Sequence, residues 1–263
     1  MNSDATPWAL VLGASSGMGA ATARALAAAG YSIAGVHLDR RATLPLAEAV
    51  QADIRACGRE ARFFNANAAD AETRAATVAA LRTELDARGE KIGVLVHSLA
   101  FGAMRPYVGD GDLITPQQFA MTYEVMAHSL VYWTQALLAA ELLGAGGRIF
   151  ALTSAGSHRV WPAYGAVSTA KAALEGHVRQ LAVELAPRAI TVNAIQAGVT
   201  DTPALRRVPT AEAMLAHGRA MNPHGRLTTP EDVARAIVAL AVPGTAWITG
   251  NVIRVDGGED IIG

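Results

Sequence analysis

The stretch that most constrains the fold of this chain is rich in glycine and reads Leu10-Val-Leu-Gly13-Ala-Ser-Ser-Gly17-Met-Gly19. It joins an apolar run typical of a β-strand to an alanine-rich run typical of an α-helix. Gly13 permits a sharp turn, Gly17 lets the backbone approach a ligand, and Gly19 allows close helix–strand packing. The helix would then present free N–H groups and the positive end of its dipole to a phosphate. The stretch predicts the first turn of a nucleotide-binding β-α-β unit; the alternative is a tight turn without a ligand.

Apolar runs of strand length alternate with longer, alanine-rich amphipathic runs along the rest of the chain. Seven strands separated by helices predict a parallel sheet covered on both faces, because parallel strands need crossover connections. We therefore expect an α/β fold, a single Rossmann-type doubly wound domain with a seven-stranded parallel sheet over residues 1–263. The predicted strands are 8–12, 32–36, 61–65, 92–96, 148–153, 190–195 and 252–255, and the predicted helices are 17–29, 44–56, 71–88, 116–143, 163–185 and one opening at 229–232.

One segment, about 199–228, departs from this alternation. It carries prolines outside any regular periodicity and only a short helical pattern at 211–220. An insertion of this length in a compact domain is usually a functional lid or disordered. We expect a lid that closes over the bound ligands. Its apolar surface would come from Pro203, Leu205, Val208, Met214, Leu215 and Met221.

The composition argues against several classes of partner. The chain is 51% hydrophobic and 17% charged, its formal net charge is −1, and it has no run of Lys and Arg. We therefore expect no nucleic acid and no membrane as a partner bound through charge. The single cysteine, Cys57, excludes an internal disulfide and fits a reducing, cytoplasmic location. Residues 1–7 lack the pattern of a signal peptide, and the apolar stretch 130–143 is too short to span a membrane.

A tyrosine and a lysine lie seven positions apart in the run Tyr164-Gly-Ala-Val-Ser-Thr-Ala-Lys171. Seven residues advance a helix by about 700°, so the two side chains would share one face, about 10 Å apart along the axis. Together with the glycine loop, Asn193-Ala-Ile-Gln-Ala-Gly198 and Val255-Asp-Gly-Gly258, the pair resembles the short-chain dehydrogenase/reductase family over essentially the whole chain. Common members have Tyr-x-x-x-Lys, but Val167 stands at that position here. Without the resemblance, such a pair is usually a packed ring and a solvated amine.

The longer spacing is the mark of the enoyl-ACP reductase branch of that family. The stretch His97-Ser-Leu-Ala-Phe101 is similar to a motif of the same branch, and the regions 201–205 and 222–226 resemble enoyl-ACP reductase III. The resemblance implies NAD(P)H-dependent reduction of the 2,3 double bond of an enoyl thioester on acyl carrier protein or CoA. A tyrosine one turn nearer the helix N-terminus suits a substrate whose reacting carbon is displaced from its polarised oxygen, so Tyr164 would stabilise the enolate.

The resemblance implies a catalytic set of Tyr164, Lys171 and Ser154, with no metal ligand. Lys171 would hold the nicotinamide ribose, and its charge would favour ionisation of the phenol. Ser154 lies seventeen positions before Lys171, where ordinary members keep a catalytic serine. It either helps to bind the substrate oxygen or caps the end of a strand. Met126 stands where many members have an asparagine in the long central helix.

The second strand ends in Val36-His37-Leu38-Asp39-Arg40-Arg41, which bears on the choice of nicotinamide dinucleotide. An acid here would accept from the ribose 2′-hydroxyl of NADH, whereas an arginine would pair with the 2′-phosphate of NADPH. His37 takes the usual position of the acid, so we favour NADPH, with Arg40 or Arg41 on the phosphate and Asp39 as a turn or cap residue. NADH and a solvated charged turn are the alternatives. The residues assigned to the cofactor are Gly13, Ser15, Ser16, Gly17, Met18, Gly19, Asp39, Arg40, Arg41, Asn67, Ala68, Ser98, Leu99, Ala100, Lys171, Gly198, Val199, Thr200 and Thr202.

Two other functions fit the same residues. One is an ordinary carbonyl or 3-oxoacyl reductase with a displaced tyrosine, and the other is a non-catalytic nucleotide-binding member, against which the catalytic set counts. Family members dimerise through the helix at 163–185 and the one before it, commonly within a tetramer. An apolar stripe on this helix predicts such a homodimer or homotetramer, or else an ordinary core face. It consists of Leu174, Val178, Leu181 and Leu185. The acyl carrier, and the choice between fatty-acid biosynthesis and a specialised pathway, stay open.

Overall fold

The computed structural model describes residues 7–262, so nearly all of the N-terminal segment discussed above lies outside the described residues. Seven parallel strands form one sheet in the order β3-β2-β1-β4-β5-β6-β7. This order reverses direction between β1 and β4, as in a doubly wound sheet, and the predicted fold class is confirmed. The strands are β1 Trp8–Leu12, β2 Ser32–His37, β3 Ala61–Asn65, β4 Ile92–His97, β5 Leu143–Ser154, β6 Thr191–Ala197 and β7 Val252–Val255.

Helices cover both faces of the sheet and bury a separate apolar core on each. Leu26 of α1 and Ile237 of α8 lie in one core, and Trp133 of α5 and Leu174 of α6 lie in the other. Because both faces are covered, the central strands β1 and β4 are nearly continuous apolar runs. The helices are α1 Gly17–Ala28, α2 Leu44–Ala56, α3 Ala71–Asp86, α4 Pro116–Tyr123, α5 Ser129–Ala139, α6 Gly165–Leu185, α7 Ala211–Met221 and α8 Pro230–Leu240.

The single long helix predicted at 116–143 is wrong. A Thr115–Gln118 capping box opens α4, but a π-helical turn at Glu124–His128 separates α4 from α5. The α5 helix ends at Ala139 because Glu141 adopts a φ of 56°, while the N–H groups of Glu141 and Leu142 donate back to the carbonyls of Leu138 and Leu137. This is a Schellman ending, which glycine usually supplies, so the sequence carried no signal for it. The chain then enters β5 at Leu143, five residues earlier than the predicted 148.

The helix predicted to begin at 163 begins at Gly165 instead, and this displaces the candidate tyrosine from the helix. Ala163 adopts a φ of 59°, which the α-helix excludes. Tyr164 becomes the N-cap residue, with φ −93° and ψ 1°, and its carbonyl accepts the first helical hydrogen bond from the Ser168 N–H at 2.9 Å. The spacing argument assumed that Tyr164 and Lys171 lie within one helix. In the structure only Lys171 lies within α6, and Tyr164 precedes it as the N-cap residue.

The segment 199–228 leaves the sheet after β6 and returns before α8, and a parallel bridge between Thr200 and Thr228 joins its ends. Within it lie the short 3-10 turn Leu205–Arg207 and helix α7, where Leu215 is buried rather than free for a ligand. No helix among residues 7–262 combines the length and apolar character needed to cross a membrane.

The apolar stripe of α6 belongs to the chain's own core. Its members pack against α5 and the sheet and are almost fully buried within one chain, so they offer no surplus surface to a second copy. The prediction of an assembly therefore cannot rest on them. The stripe consists of Leu174, Val178, Leu181 and Leu185.

Candidate active site

The glycine loop fills the gap between β1 and β4 at the carboxyl edge of the sheet. Gly13 has a φ of 90°, and a Cβ there would lie 2.4 Å from the backbone oxygen of Ser98. A Cβ at Gly19 would lie 2.0 Å from the backbone oxygen of Gly13. Neither position accepts a side chain, which explains both glycines. Ser16 at the N-cap of α1 makes no side-chain capping bond, so the amides of the first turn stay available to an anion.

The other residues assigned to the cofactor line the same edge. Ser98, Leu99 and Ala100 follow β4, and 198–202 follows β6. The methyl group of Thr202 lies 3.4 Å from the Cβ position of Gly17, so the start of the segment 199–228 touches the glycine loop. These segments enclose the crevice at the switch point between β1 and β4, where doubly wound folds bind nucleotides.

Three charged residues follow β2. The acid, Asp39, has a partner, whereas the two cations, Arg40 and Arg41, have none among residues 7–262. Asp39 Oδ2 lies 2.8 Å from Nδ1 of His37. Burial alone would raise the pKa of Asp39, yet the nearby hydroxyls of Ser15 and Thr43 and the imidazole of His37 bring it below its ordinary value. Arg40 and Arg41 are exposed, and neither guanidinium makes an ion pair or a hydrogen bond within residues 7–262. The geometry fits Asp39 as a structural acid and leaves the two arginines free for an anion.

At the end of β3, Asn67 and Ala68 are already engaged in local structure. The Asn67 side chain accepts a hydrogen bond from the N–H of Ala69 at 3.1 Å. The backbone oxygen of Ala68 accepts from the indole of Trp133 at 2.7 Å, which anchors this loop to α5. Asn67 is exposed, whereas Ala68 is buried in the core.

Lys171 is almost fully buried on α6, and its ammonium reaches the ends of two neighbouring strands. Its Nζ donates to the backbone oxygen of Leu152 at 2.6 Å and lies 3.4 Å from the backbone oxygen of Leu99. Burial lowers the pKa of Lys171 to about 8, although the carboxylate of Glu175 opposes the shift. A cation held at the carboxyl ends of β4 and β5 is placed for a polar ligand in the crevice.

Tyr164 and Ser154 stand together at the N-terminal end of α6. Burial raises the pKa of Tyr164, and the nearby Ser154 hydroxyl lowers it in part. The expectation that the charge of Lys171 favours an ionised phenol stays a prediction, and in the free protein burial is the largest influence on the pKa of Tyr164. The Ser154 hydroxyl is buried beside the Tyr164 ring and has no hydrogen-bond partner among the described residues. A Cβ at Gly156 would lie 2.8 Å from the Tyr164 ring, so glycine is required there.

Sequence reasoning missed the state of His97, which it treated only as part of a motif. Its Nε2 lies 2.8 Å from the Ser129 hydroxyl, which donates to the backbone oxygen of Val125 in the π-helical turn. Burial, and then the charge of Lys171, lower the pKa of His97 to about 3, so the imidazole is neutral. Its Nδ1 has no partner among residues 7–262. Met126 fills the same region with an apolar side chain that packs beside Val167.

Two aromatic residues near the tyrosine were also missed. The ring of Tyr107 covers Gly165, where a Cβ would lie 2.5 Å from it. Trp161 lies three positions before Tyr164 and contacts helix α7. The only signal was Pro162, since a proline biases the residue before it away from helical conformation. Within residues 7–262, no group of three or more His, Cys, Asp or Glu side chains could hold a metal ion.

Comparison with known proteins identifies what this site resembles. A family model described as enoyl-(acyl carrier protein) reductase matches residues 13–259. The enoyl-(acyl-carrier-protein) reductase (NADH) of Salmonella typhimurium is 33% identical over 187 residues, which cover 71% of this chain and 71% of that protein. The 1-cyclohexenylcarbonyl-CoA reductase of Streptomyces collinus is 32% identical over 255 residues, or 96% of this chain and 86% of that protein.

A solved structure agrees on the fold. The 3-oxoacyl-(acyl-carrier protein) reductase from Brucella melitensis, in complex with NAD, has a TM-score of 0.83 and is 31% identical, covering 98% of this chain and 99% of that chain. The family resemblance stated from the sequence is confirmed. The names of these relatives include NADH and NAD, which supports a nicotinamide cofactor and leaves the preference for NADPH a prediction.

Proposed function

Because this chain belongs to the enoyl-(acyl carrier protein) reductase family, we propose that it uses a nicotinamide dinucleotide to reduce the 2,3 double bond of an enoyl thioester. One observation carries the proposal most directly. Tyr164 is the N-cap residue just before α6, and Lys171 lies about two turns into that helix at the carboxyl edge of the sheet. Tyr164, which would polarise the substrate oxygen, is therefore separated from Lys171, which would hold the ribose. An enoyl thioester needs this separation because its reacting carbon, C3, is two carbons from the carbonyl carbon, C1.

Tyr164 and Ser154 would act on the thioester oxygen. When bound, the nicotinamide supplies a hydride to C3, and the reduction is completed by a proton at C2. Negative charge develops on the thioester oxygen at C1, where the Tyr164 hydroxyl donates a hydrogen bond that strengthens as the enolate forms. The raised pKa of Tyr164 keeps the phenol protonated and able to donate. The positive end of the α6 dipole favours the same charge, and the Ser154 hydroxyl can add a second donor.

Lys171 would position the cofactor, and the loops of the carboxyl edge would enclose it. The glycine loop offers amides to the pyrophosphate, and Thr202 extends this contact from the segment 199–228. The ammonium of Lys171, held by the backbone oxygen of Leu152, would reach the hydroxyls of the nicotinamide ribose. The segment 199–228 would close over nicotinamide and acyl chain as a lid.

NADPH is the proposed dinucleotide. Arg40 and Arg41 are exposed and unpaired within residues 7–262, and they follow the strand whose end faces the adenosine ribose in this fold. Asp39 is less suited to hold a ribose hydroxyl, since its carboxylate already contacts Nδ1 of His37 at 2.8 Å. The same contact supports Asp39 as a turn residue.

The function is tested by comparing two thioesters. Turnover of crotonyl-CoA and of acetoacetyl-CoA is followed through the absorbance of reduced nicotinamide. Reduction of the enoyl substrate with little reduction of the 3-oxo substrate is expected. Faster reduction of acetoacetyl-CoA would instead establish a carbonyl reductase, and no turnover of either thioester, with nucleotide still bound, would indicate a non-catalytic member.

A 3-oxoacyl reductase is the second candidate because two observations favour it. Ser154 is kept at the position where ordinary short-chain reductases have their serine, and the Brucella melitensis protein bears that name. The tyrosine argues against it, since Val167 occupies the position of the usual catalytic residue and is buried beside Met126 and Ala170.

The acyl carrier and the assembly are also proposals. The relatives' names include both acyl-carrier-protein and CoA, so either carrier fits. A homodimer or homotetramer is proposed from the apolar surface that the chain leaves exposed on α6, where Val183 is 74% accessible. Light scattering at micromolar concentration tests it, and a monomer would refute it.

A further inference from the structure

Trp161 joins the segment 199–228 to the loop that carries the candidate tyrosine. Its indole Nε1 donates to the hydroxyl of Thr210 at 2.8 Å, immediately before helix α7. Its ring lies 5.9 Å, centroid to centroid, from that of His217 on the same helix. One side chain therefore contacts both the beginning and the middle of α7. A half-buried tryptophan with a satisfied indole makes a specific contact, because its ring packs while its N–H fixes the direction.

A tight turn connects Trp161 to Tyr164. The N–H of Tyr164 donates to the backbone oxygen of Trp161 at 3.1 Å, with Pro162 and Ala163 between them. Ala163 has a φ of 59°, in a region that residues with a Cβ rarely adopt. Pro at the second position and a positive φ at the third are the features of a type II turn. The turn leaves little freedom between the two aromatic residues, so a movement of Trp161 moves Tyr164.

The beginning of this loop is fixed elsewhere. Nε2 of His158 lies 3.0 Å and Nε of Arg159 lies 2.7 Å from the carboxylate of Asp260, near the end of the chain. Asp260 also accepts from Gln196 of β6. The loop is thus tied to the sheet at its start, and its far end carries the Trp161–Tyr164 turn against α7.

We propose that Trp161 is a positioning residue that couples the lid to catalysis. With α7 packed on Trp161, the turn holds the Tyr164 phenol at the N-terminal end of α6; when α7 separates from Trp161, the turn relaxes and the phenol leaves the position of the thioester oxygen. The tyrosine is then correctly placed only while the lid covers the acyl chain. This inference rests on the proposed enoyl reductase function.

The kinetic test uses two substitutions that break the contact from opposite sides. Trp161→Phe keeps a ring and removes the indole N–H, and Thr210→Val removes the acceptor with little change of volume. Each should lower kcat for crotonyl-CoA, by up to about 100-fold, while the affinity for the dinucleotide stays unchanged. Trp247→Phe is the matched control, since that tryptophan is 98% exposed, and it should leave kcat unchanged.

A Tyr164→Phe background separates positioning from a merely structural role. If Trp161 acts through the phenol, Trp161→Phe should reduce kcat far less in Tyr164→Phe than in the wild type. An undiminished effect in that background would overturn the proposal, because the tryptophan would then act through substrate binding or stability alone.

A second measurement does not depend on the substrate. Hydrogen exchange should rise together at the Tyr164 amide and along α7 in both Trp161→Phe and Thr210→Val, and at neither place in Trp247→Phe. Faster exchange in α7 with an unchanged Tyr164 amide, or no change at either place, would refute the coupling. If the wild type reduces no enoyl thioester, the proposed function fails, and the exchange data still decide whether the lid and the tyrosine move together.

Discussion

The ammonium nitrogen of Lys171 lies 2.6 Å from the backbone oxygen of Leu152, so the one buried lysine of the site is held by the end of β5 before any ligand arrives. This hydrogen bond fixes the Lys171 side chain. It compensates only in part for the water that the buried ammonium has lost. Burial consequently brings the pKa of Lys171 down from 10.5 to about 8, within reach of ordinary buffers.

The affinity for the dinucleotide should therefore fall as the pH rises through about 8, because the free enzyme loses the ammonium that would hold the ribose. Fluorescence titration of NADPH between mildly acidic and mildly alkaline pH measures this, and Lys171→Met should bind more weakly with no break near that pH. An unchanged break in Lys171→Met would assign the titration to another group.

The same shift has a consequence for stability. A lysine with a lowered pKa in the folded protein binds fewer protons there than in the unfolded chain, so its contribution to stability rises with pH between about 8 and 10.5. Lys171→Met should accordingly be more stable than the wild type at neutral pH, by up to about 3 kcal/mol. The difference should shrink towards pH 10, as measured by urea unfolding. A difference that does not vary with pH would contradict the assigned pKa.

The preference for NADPH is tested at Arg40 and Arg41. Replacing both by alanine should raise KM for NADPH by about tenfold or more, because hydrogen bonds between charged groups contribute about 1.5–3 kcal/mol. KM for NADH should change little, since NADH lacks the 2′-phosphate. Arg82→Ala, an exposed arginine on α3, is the control. Equal effects on both cofactors would disprove the assignment, and a rise in KM for NADH alone in Asp39→Asn would move the ribose contact to Asp39.

The fold was predictable because its signals are local and repeated. A buried parallel strand is apolar along its whole length, as β1 is, and the partly exposed edge strands β3 and β7 also have the predicted bounds. The glycine loop was predictable for a related reason, since the positions of Gly13 and Gly19 exclude a Cβ altogether. These requirements are visible in the sequence as apolar runs and as glycines. They can be recognised without knowing which distant residues are in contact.

The parts that sequence reasoning missed depend on backbone conformations without a residue signature. Glu141 and Ala163 adopt a positive φ where glycine or asparagine would be expected, so the end of α5 and the start of α6 were both misplaced. The neutral state of His97 results first from its burial and then from the charge of Lys171, which is distant in the sequence. The contact between Trp161 and Thr210 likewise arises from tertiary packing alone.

The positive φ of Ala163 strains a residue that has a Cβ, so replacing Ala163 should change the stability of the protein. Glycine adopts this conformation without the steric penalty of a Cβ, so Ala163→Gly should raise the stability by up to about 1 kcal/mol. That corresponds to a rise in Tm of about 2–4 °C for a domain of this size. Ala172→Gly, at an exposed position inside α6, should have the opposite sign and lower the stability by about 1 kcal/mol. Calorimetry that gave both variants the same sign would contradict the φ assigned to Ala163.

The last prediction concerns the hydroxyl of Tyr164. Tyr164→Phe keeps the packed ring and removes only the donor, so it should lower kcat and kcat/KM for crotonyl-CoA together and leave the affinity for NADPH nearly unchanged. The loss should be about 2.7–4 kcal/mol, or about 10²–10³ in kcat, if Tyr164 alone stabilises the oxyanion. It should be smaller if Ser154 shares the charge, and Ser154→Ala should then have a measurable effect of its own. Enoyl-thioester kinetics beside a cofactor titration of each variant make the comparison. Full enoyl reduction by Tyr164→Phe would show that the phenol does not stabilise the enolate, and the seven-residue spacing would then reflect helix packing alone.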